Sequence, residues 1–249
     1  MIIQKSCVPG NRVKCVIADA LAPDSFFDYL HKNGIEVIKT VSINNNLNPV
    51  STHPDMQICH LGGSQYVCEP TIYEYYKNSL NLYGVNLTKG STTIKSNYPF
   101  DIAYNVVITG NFLLHNLKYT DRKILNFALS NGMGIYNTKQ GYTKCATCII
   151  DDNAVITADE GIYKACISTG IDCLLIERDT ILFGDRTDGF IGGCCGMIGY
   201  KTLLFCGNIS FHKSYGKIKK FADKYSVEIK SAYDGPLTDI GSIIPVIQE

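Results

Sequence analysis

The chain has no tryptophan, no net charge and no long apolar run, and each absence narrows what the protein can be. With 23 basic and 23 acidic residues there is no basic stripe to gather phosphates, so nucleic acid is not an expected partner. Nowhere do about 18 consecutive apolar residues occur, as a membrane span needs, and the opening MIIQKSCVPGNRVKC lacks the apolar centre of a signal peptide. A soluble cytoplasmic protein with no membrane partner is therefore expected. Also missing is a G-x-G-x-x-G that opens a helix after a strand, which sets aside the dinucleotide site of a doubly wound sheet.

Cysteine is abundant, at 11, but the number is odd and most thiols sit in apolar runs, as Cys15, Cys59, Cys68, Cys166, Cys173 and Cys206 do. Reduced core thiols fit that pattern better than a disulfide framework, because buried cysteine behaves as a small hydrophobe. The 16 tyrosines and 10 phenylalanines supply the bulk that tryptophan would have brought to a core.

What the chain does contain is a repeat. Asp188 to Phe211 reads as a glycine-rich loop, a short strand, a turn at Gly199-Tyr200 and a second apolar strand. Cys148 to Thr157, turning at Asp151-Asp152-Asn153, has the same layout, as do Met56 to Cys68, turning at Gly62-Gly63-Ser64, and Asp101 to Asn111, with Asp101 to Asn105 as its first strand. Each hairpin runs into a helical segment and a further strand, giving copies of one ββαβ unit. Helix ends are marked by Gly34, Gly84, Gly132 and Gly170, and the fifth copy lacks the glycine. Ser42 to Thr52, with three consecutive asparagines, is a connecting loop.

The first copy has one strand, Val13 to Ala18, before its helix, while the chain finishes on an unpaired apolar strand, Ile240 to Val246. Pairing the two completes a fifth unit and removes the exposed edges. The expected architecture is thus α/β: five ββαβ units in a pseudo-fivefold ring, an α/β propeller, forming one domain over residues 1–249. Such an arrangement resembles the pentein superfamily. Its catalytic members modify guanidine groups (arginine and agmatine deiminases, dimethylarginine dimethylaminohydrolase, amidinotransferases), and its non-catalytic members include the ribosome anti-association factor. The chain is also similar to a bacterial branch of this fold with no established activity.

In the enzymes a cysteine near the C-terminus attacks the guanidinium carbon, a histidine in the preceding unit moves protons, and carboxylates hold the N–H groups. Carried over, the cysteine position falls on Gly241 or Ser242, and the histidine position in Gly192 to Gly196, where there is none. The resemblance therefore implies binding of a small guanidinium or amine ligand without deimination of arginine or agmatine. Asp55, Asp101 and Asp239 open strands that would converge at the centre of a ring, and Asp188 lies in a glycine-rich loop that could cover it. Each is also a common turn residue. His53 and Ser242 are the weak catalytic candidates. Cys145, Cys148, Cys194 and Cys195 form a minority zinc set, opposed by their alternating strand positions. The sequence asks for no cofactor, and the alternatives to ligand binding are a non-catalytic interaction module and an atypical C–N hydrolase.

Overall fold

A computed structural model describes residues 1–43 and 49–249. Of the expected loop at 42–52, residues 44–48 therefore lie outside the described residues, and Pro49–Thr52 is a short 3-10 turn. The described residues form five three-stranded sheets. The first holds β1 (Val13–Ala18), β2 (Glu36–Lys39) and β15 (Ile244–Gln248). The second holds β3 (Ile58–Gly62), β4 (Gln65–Cys68) and β5 (Asn86–Lys89), and the third β6 (Val107–Thr109), β7 (Phe112–His115) and β8 (Gly134–Asn137). In the fourth stand β9 (Thr147–Asp151), β10 (Ala154–Thr157) and β11 (Asp172–Leu175), and in the fifth β12 (Cys195–Gly199), β13 (Thr202–Phe205) and β14 (Glu228–Ser231).

One rule builds all five. The middle strand pairs antiparallel with one neighbour and parallel with the strand that follows a helix. Those crossover helices are α1 (Asp24–Lys32), α3 (Tyr73–Leu80), α4 (Arg122–Ser130), α5 (Glu160–Thr169) and α6 (Tyr215–Lys224). Each is amphipathic and buries an apolar pair four residues apart, such as Phe26 with Leu30 or Ile218 with Ala222. Where the fifth copy lacks its glycine, Ser226 takes the left-handed backbone, at φ 56°.

The expected closure is present: β15 pairs antiparallel with β1, so the last strand completes the first sheet. Its start differs from the sequence reading. Residues Asp239 to Ile243 are not strand, because Gly241 (φ 64°) and Ser242 (φ 74°) adopt left-handed backbone that a strand cannot hold. Asp101 to Asn105 is likewise a turn rather than a strand, bent by the Asn105 amide bonding back to the Ile102 carbonyl, and β6 starts only at Val107. Before β3 the chain makes a single helical turn, α2 (Pro54–Gln57), where a strand from Met56 is expected.

In every unit, then, a few buried, non-strand residues precede the first strand, and these five segments meet. The Asp55 amide bonds to the Gly241 carbonyl, Ser242 to Gly193, Gly193 to Cys145, and Lys144 to Asn105. The Asn105 side chain reaches the Met56 sulfur at 3.2 Å, which returns to the segment of Asp55. The candidate site is built on this hub.

Candidate functional site

α2 is a single turn started by Pro54, whose missing amide costs nothing there. It leaves His53 and Asp55 buried at 3% and 1% exposure. The imidazole of His53 sits between two carboxylates, with Nε2 3.7 Å from Asp19 and Nδ1 3.8 Å from Asp239. Both gaps exceed a hydrogen bond, and Nδ1 has no other partner. Phe183 packs edge-on against the ring, with centroids 5.4 Å apart.

Asp239 is fixed by amides. It accepts from the Phe190 N–H at 2.8 Å and from the Gly241 N–H at 3.0 Å. The second bond is the turn chemistry its position suggests, so here the turn reading and the site reading both apply. Gly241 must be glycine for two reasons: its positive φ, and a Cβ there would lie 2.2 Å from His53 Cβ.

Cys145 comes from the segment before β9. Its thiol donates to Asp55 Oδ2 at 2.9 Å and receives the Asn105 amide at 3.3 Å. Burial pushes the thiol well above its ordinary pKa, and the charges of Asp55 and Asp239 push further in the same direction. Burial likewise raises the Asp55 carboxyl to about 6, opposed by His53 and Lys144. Asp239 moves up for the same first reason, moderated by His53.

Beneath Asp55 lies a buried charged chain. Lys144 Nζ donates to Ser242 Oγ at 3.1 Å, and that hydroxyl stands 2.8 Å from Asp55 Oδ2 and 3.0 Å from the Gly192 carbonyl. Burial alone would lower Lys144, yet Cys7, Asp55 and neighbouring thiols hold it above its ordinary value.

His53, Cys145 and Asp239 open on a cavity of about 220 Å³, walled by Val50, Tyr142, Phe183, Arg186, Asp188, Gly189 and Phe190. A second cavity of about 260 Å³ lies across Asp188-Gly189-Phe190 and contains none of the three. Tyr142, Phe183 and Phe190 give the smaller cavity an aromatic wall suited to a flat cation.

The expected residues divide accordingly. His53 and Asp239 face the cavity, and Asp55 supports Cys145 from behind. Ser242 is fully buried behind Asp55 and does not line the cavity. Asp101 accepts the Tyr142 hydroxyl at 2.8 Å and so acts on the wall from outside it. Asp188 is at the rim, exposed and paired with Arg186 at 2.9 Å. Among the described residues, only Cys145 of the four candidate zinc cysteines joins a metal-capable group, and its companions are His53 and Asp239. Cys194 and Cys195 turn their thiols to the carbonyls of Phe190 and Ile191.

Cys145 enters the sequence reading only within the zinc set, and Lys144 not at all. The available signal was position: both precede a first strand, as Asp55, Asp101 and Asp239 do.

Comparison with solved structures gives the fold a context. An amidinotransferase of saxitoxin biosynthesis from Microseira wollei superposes with a TM-score of 0.61 at 10% identity, over 100% of this chain and 98% of that one. Agmatine deiminase of C. jejuni gives 0.55 at 10% identity, covering 93% and 91%. The Pseudomonas aeruginosa dimethylarginine dimethylaminohydrolase, as a citrulline complex, gives 0.54 at 8%, covering 88% and 92%. These are pentein-superfamily enzymes, and at such identities the likeness shows the fold. No curated protein matches in sequence. No helix among the described residues is long and apolar enough to cross a membrane. A family of unknown function, DUF6873, matches residues 17–244, nearly the whole length, and the chain belongs to that family.

Proposed function

We propose that the five sheets stand as a pseudo-fivefold ring around the hub, in one domain. In this reading the hub cavity binds a small guanidinium- or amine-bearing molecule, and Cys145 attacks its amidine carbon in a C–N bond reaction. The observation that carries this is the meeting of a thiol, an imidazole and a carboxylate on one aromatic-walled cavity. Absence of arginine deimination is expected only from positions 241–242 and 192–196. The thiol and imidazole meet elsewhere, which favours the C–N hydrolase alternative over an interaction module.

The electrostatics support activation by the ligand. With two carboxylates beside it, the Cys145 thiol is held protonated. A cation entering next to Asp239 reverses the local sign and favours the thiolate. The proton has an acceptor in place, since Asp55 Oδ2 already receives that S–H. The sulfur then forms a bond to the amidine carbon, and the C=N π pair moves onto nitrogen. As the C–N bond to the leaving amine breaks, His53 gives that nitrogen a proton. Water, or a second amine, then adds to that carbon and gives a proton to His53, restoring it; as the C–S bond breaks, the departing thiolate regains its proton from Asp55. General acid–base help of this kind is typically worth a factor of roughly 100 to 10,000.

A haloacetamidine tests the proposal, because it mimics the cation and carries a group that the thiol can displace. The expected result is a single adduct on Cys145, identified by mass spectrometry of the digested protein, and strongly reduced by excess guanidinium ligand or by Asp239→Asn. Labelling spread over other cysteines, or unchanged in Cys145→Ser, would overturn it.

A further inference from the structure

His53, Cys145 and Asp239 each offer one donor atom, and the three atoms lie within 4.8 Å of one another. We infer that this trio binds a thiophilic divalent cation of the zinc class through one nitrogen, one sulfur and one carboxylate oxygen. Thiolate and imidazole suit zinc and its neighbours, whereas calcium and magnesium take oxygen ligands. The inference rests on the geometry of the cavity and not on the proposed amidine reaction, although both use the same thiol.

The spacing is close to what coordination needs. With zinc bonds of about 2.0–2.3 Å in a tetrahedral shell, two donors stand roughly 3.3–3.7 Å apart. His53 Nδ1 and Asp239 Oδ1 are at 3.8 Å, and Nδ1 is a buried nitrogen with no other partner. A closure of about 1 Å by the thiol completes the shell.

The surroundings brace each donor as ligating groups require. Behind His53, Asp19 faces the other ring nitrogen at 3.7 Å, in the carboxylate–histidine order that fixes a ligating imidazole. Asp239 is held by two backbone amides, and Cys145 by the Asn105 side chain. A thiolate and a carboxylate balance the charge of a dication. The cavity leaves a fourth direction open for water or an amine, the arrangement of a reactive rather than a closed zinc centre.

Cobalt(II) added to the full-length, metal-depleted protein tests this. The expected result is thiolate-to-cobalt charge-transfer absorption that saturates at one ion per chain and disappears on adding zinc. Cys145→Ser should abolish the band, and His53→Gln and Asp239→Asn should weaken binding at least tenfold, whereas Cys148→Ser should change nothing. Zinc-edge X-ray absorption of the unmodified protein, expected to show one sulfur among nitrogen and oxygen ligands, keeps the test independent of whether the variants fold. Failure to bind, a shell without sulfur, or a band untouched by Cys145→Ser would overturn the inference. Zinc binding together with no amidine labelling of the metal-depleted protein would leave it standing while refuting the proposed reaction, and labelling without metal binding would do the reverse.

Discussion

Replacing Asp55 by asparagine should make the protein more stable at neutral pH. Burial raises this carboxyl to about 6 in the folded protein, from an ordinary value of 3.8. Between those values the folded chain keeps a proton that the unfolded chain has released, so stability falls as pH rises. The contribution is complete below 3.8 and is lost as pH passes through about 6. The two values stand about 2 apart, and at ~1.4 kcal/mol for each the loss is about 3 kcal/mol. Asparagine keeps the shape and an acceptor oxygen for Ser242 but cannot ionise. Asp55→Asn should therefore match the parent near pH 3.5 and exceed it by about 3 kcal/mol at pH 7. Other acids, such as Asp151 and Asp172, are lowered by lysine partners and have the opposite slope, but they are common to both proteins and cancel in the difference. Urea unfolding followed by circular dichroism across this pH range is the assay, since there is no tryptophan to report by fluorescence. Parallel profiles would refute the reasoning. So would a parent that gains on the variant as pH rises, because attraction to Lys144 would then outweigh burial. The same substitution should slow haloacetamidine labelling, a stability gained where function needs a destabilising group.

Two further outcomes follow from the backbone. Gly241→Ala adds a Cβ 2.2 Å from His53 Cβ at a residue with φ 64°, and strain plus overpacking should cost about 2–4 kcal/mol; an unchanged melting temperature would contradict the close packing of this turn on the imidazole. Ending the chain before Asp239 removes the antiparallel partner of β1, so cooperative unfolding in calorimetry should disappear, whereas a sharp transition close to that of the full chain would show β15 to be dispensable.

The units were legible because apolar runs, turns and helix-stopping glycines are local signals. So was the partner of β1, since an unpaired apolar strand at the C-terminus needed one. Strand starts were not legible. Asp101 to Asn105 and Asp239 to Ile243 are as apolar and buried as strands, but their apolar side chains fill a hub where segments from different units meet. Asp55, Asp239 and His53 stood out because carboxylates and imidazoles are conspicuous among apolar neighbours. Cys145 stands in the sequence as one of four candidate zinc thiols, and the three-dimensional approach of Asp55, 90 residues away in sequence, separates it from the other three. Lys144 was missed for a different reason: lysine ordinarily signals exposure, and a buried one is recognised only through its partners. Asp188 was selected from a glycine-rich loop, and that composition does not say which side chains turn inward.

The hub has a consequence for how chemistry can be distributed in a repeated fold. In the proposed ring its five short segments are equivalent seats around one centre, supplied by Asp55, Asn105, Cys145, Gly193 and Ser242 with their neighbours. A reactive side chain moved from one seat to another keeps its aim, although its place along the chain shifts by a whole unit. Chain order is then a poor guide to which residue plays which part. On that proposal, sequences of this architecture are better compared in all five registers of the repeat, where a thiol absent from one seat can be found in the next.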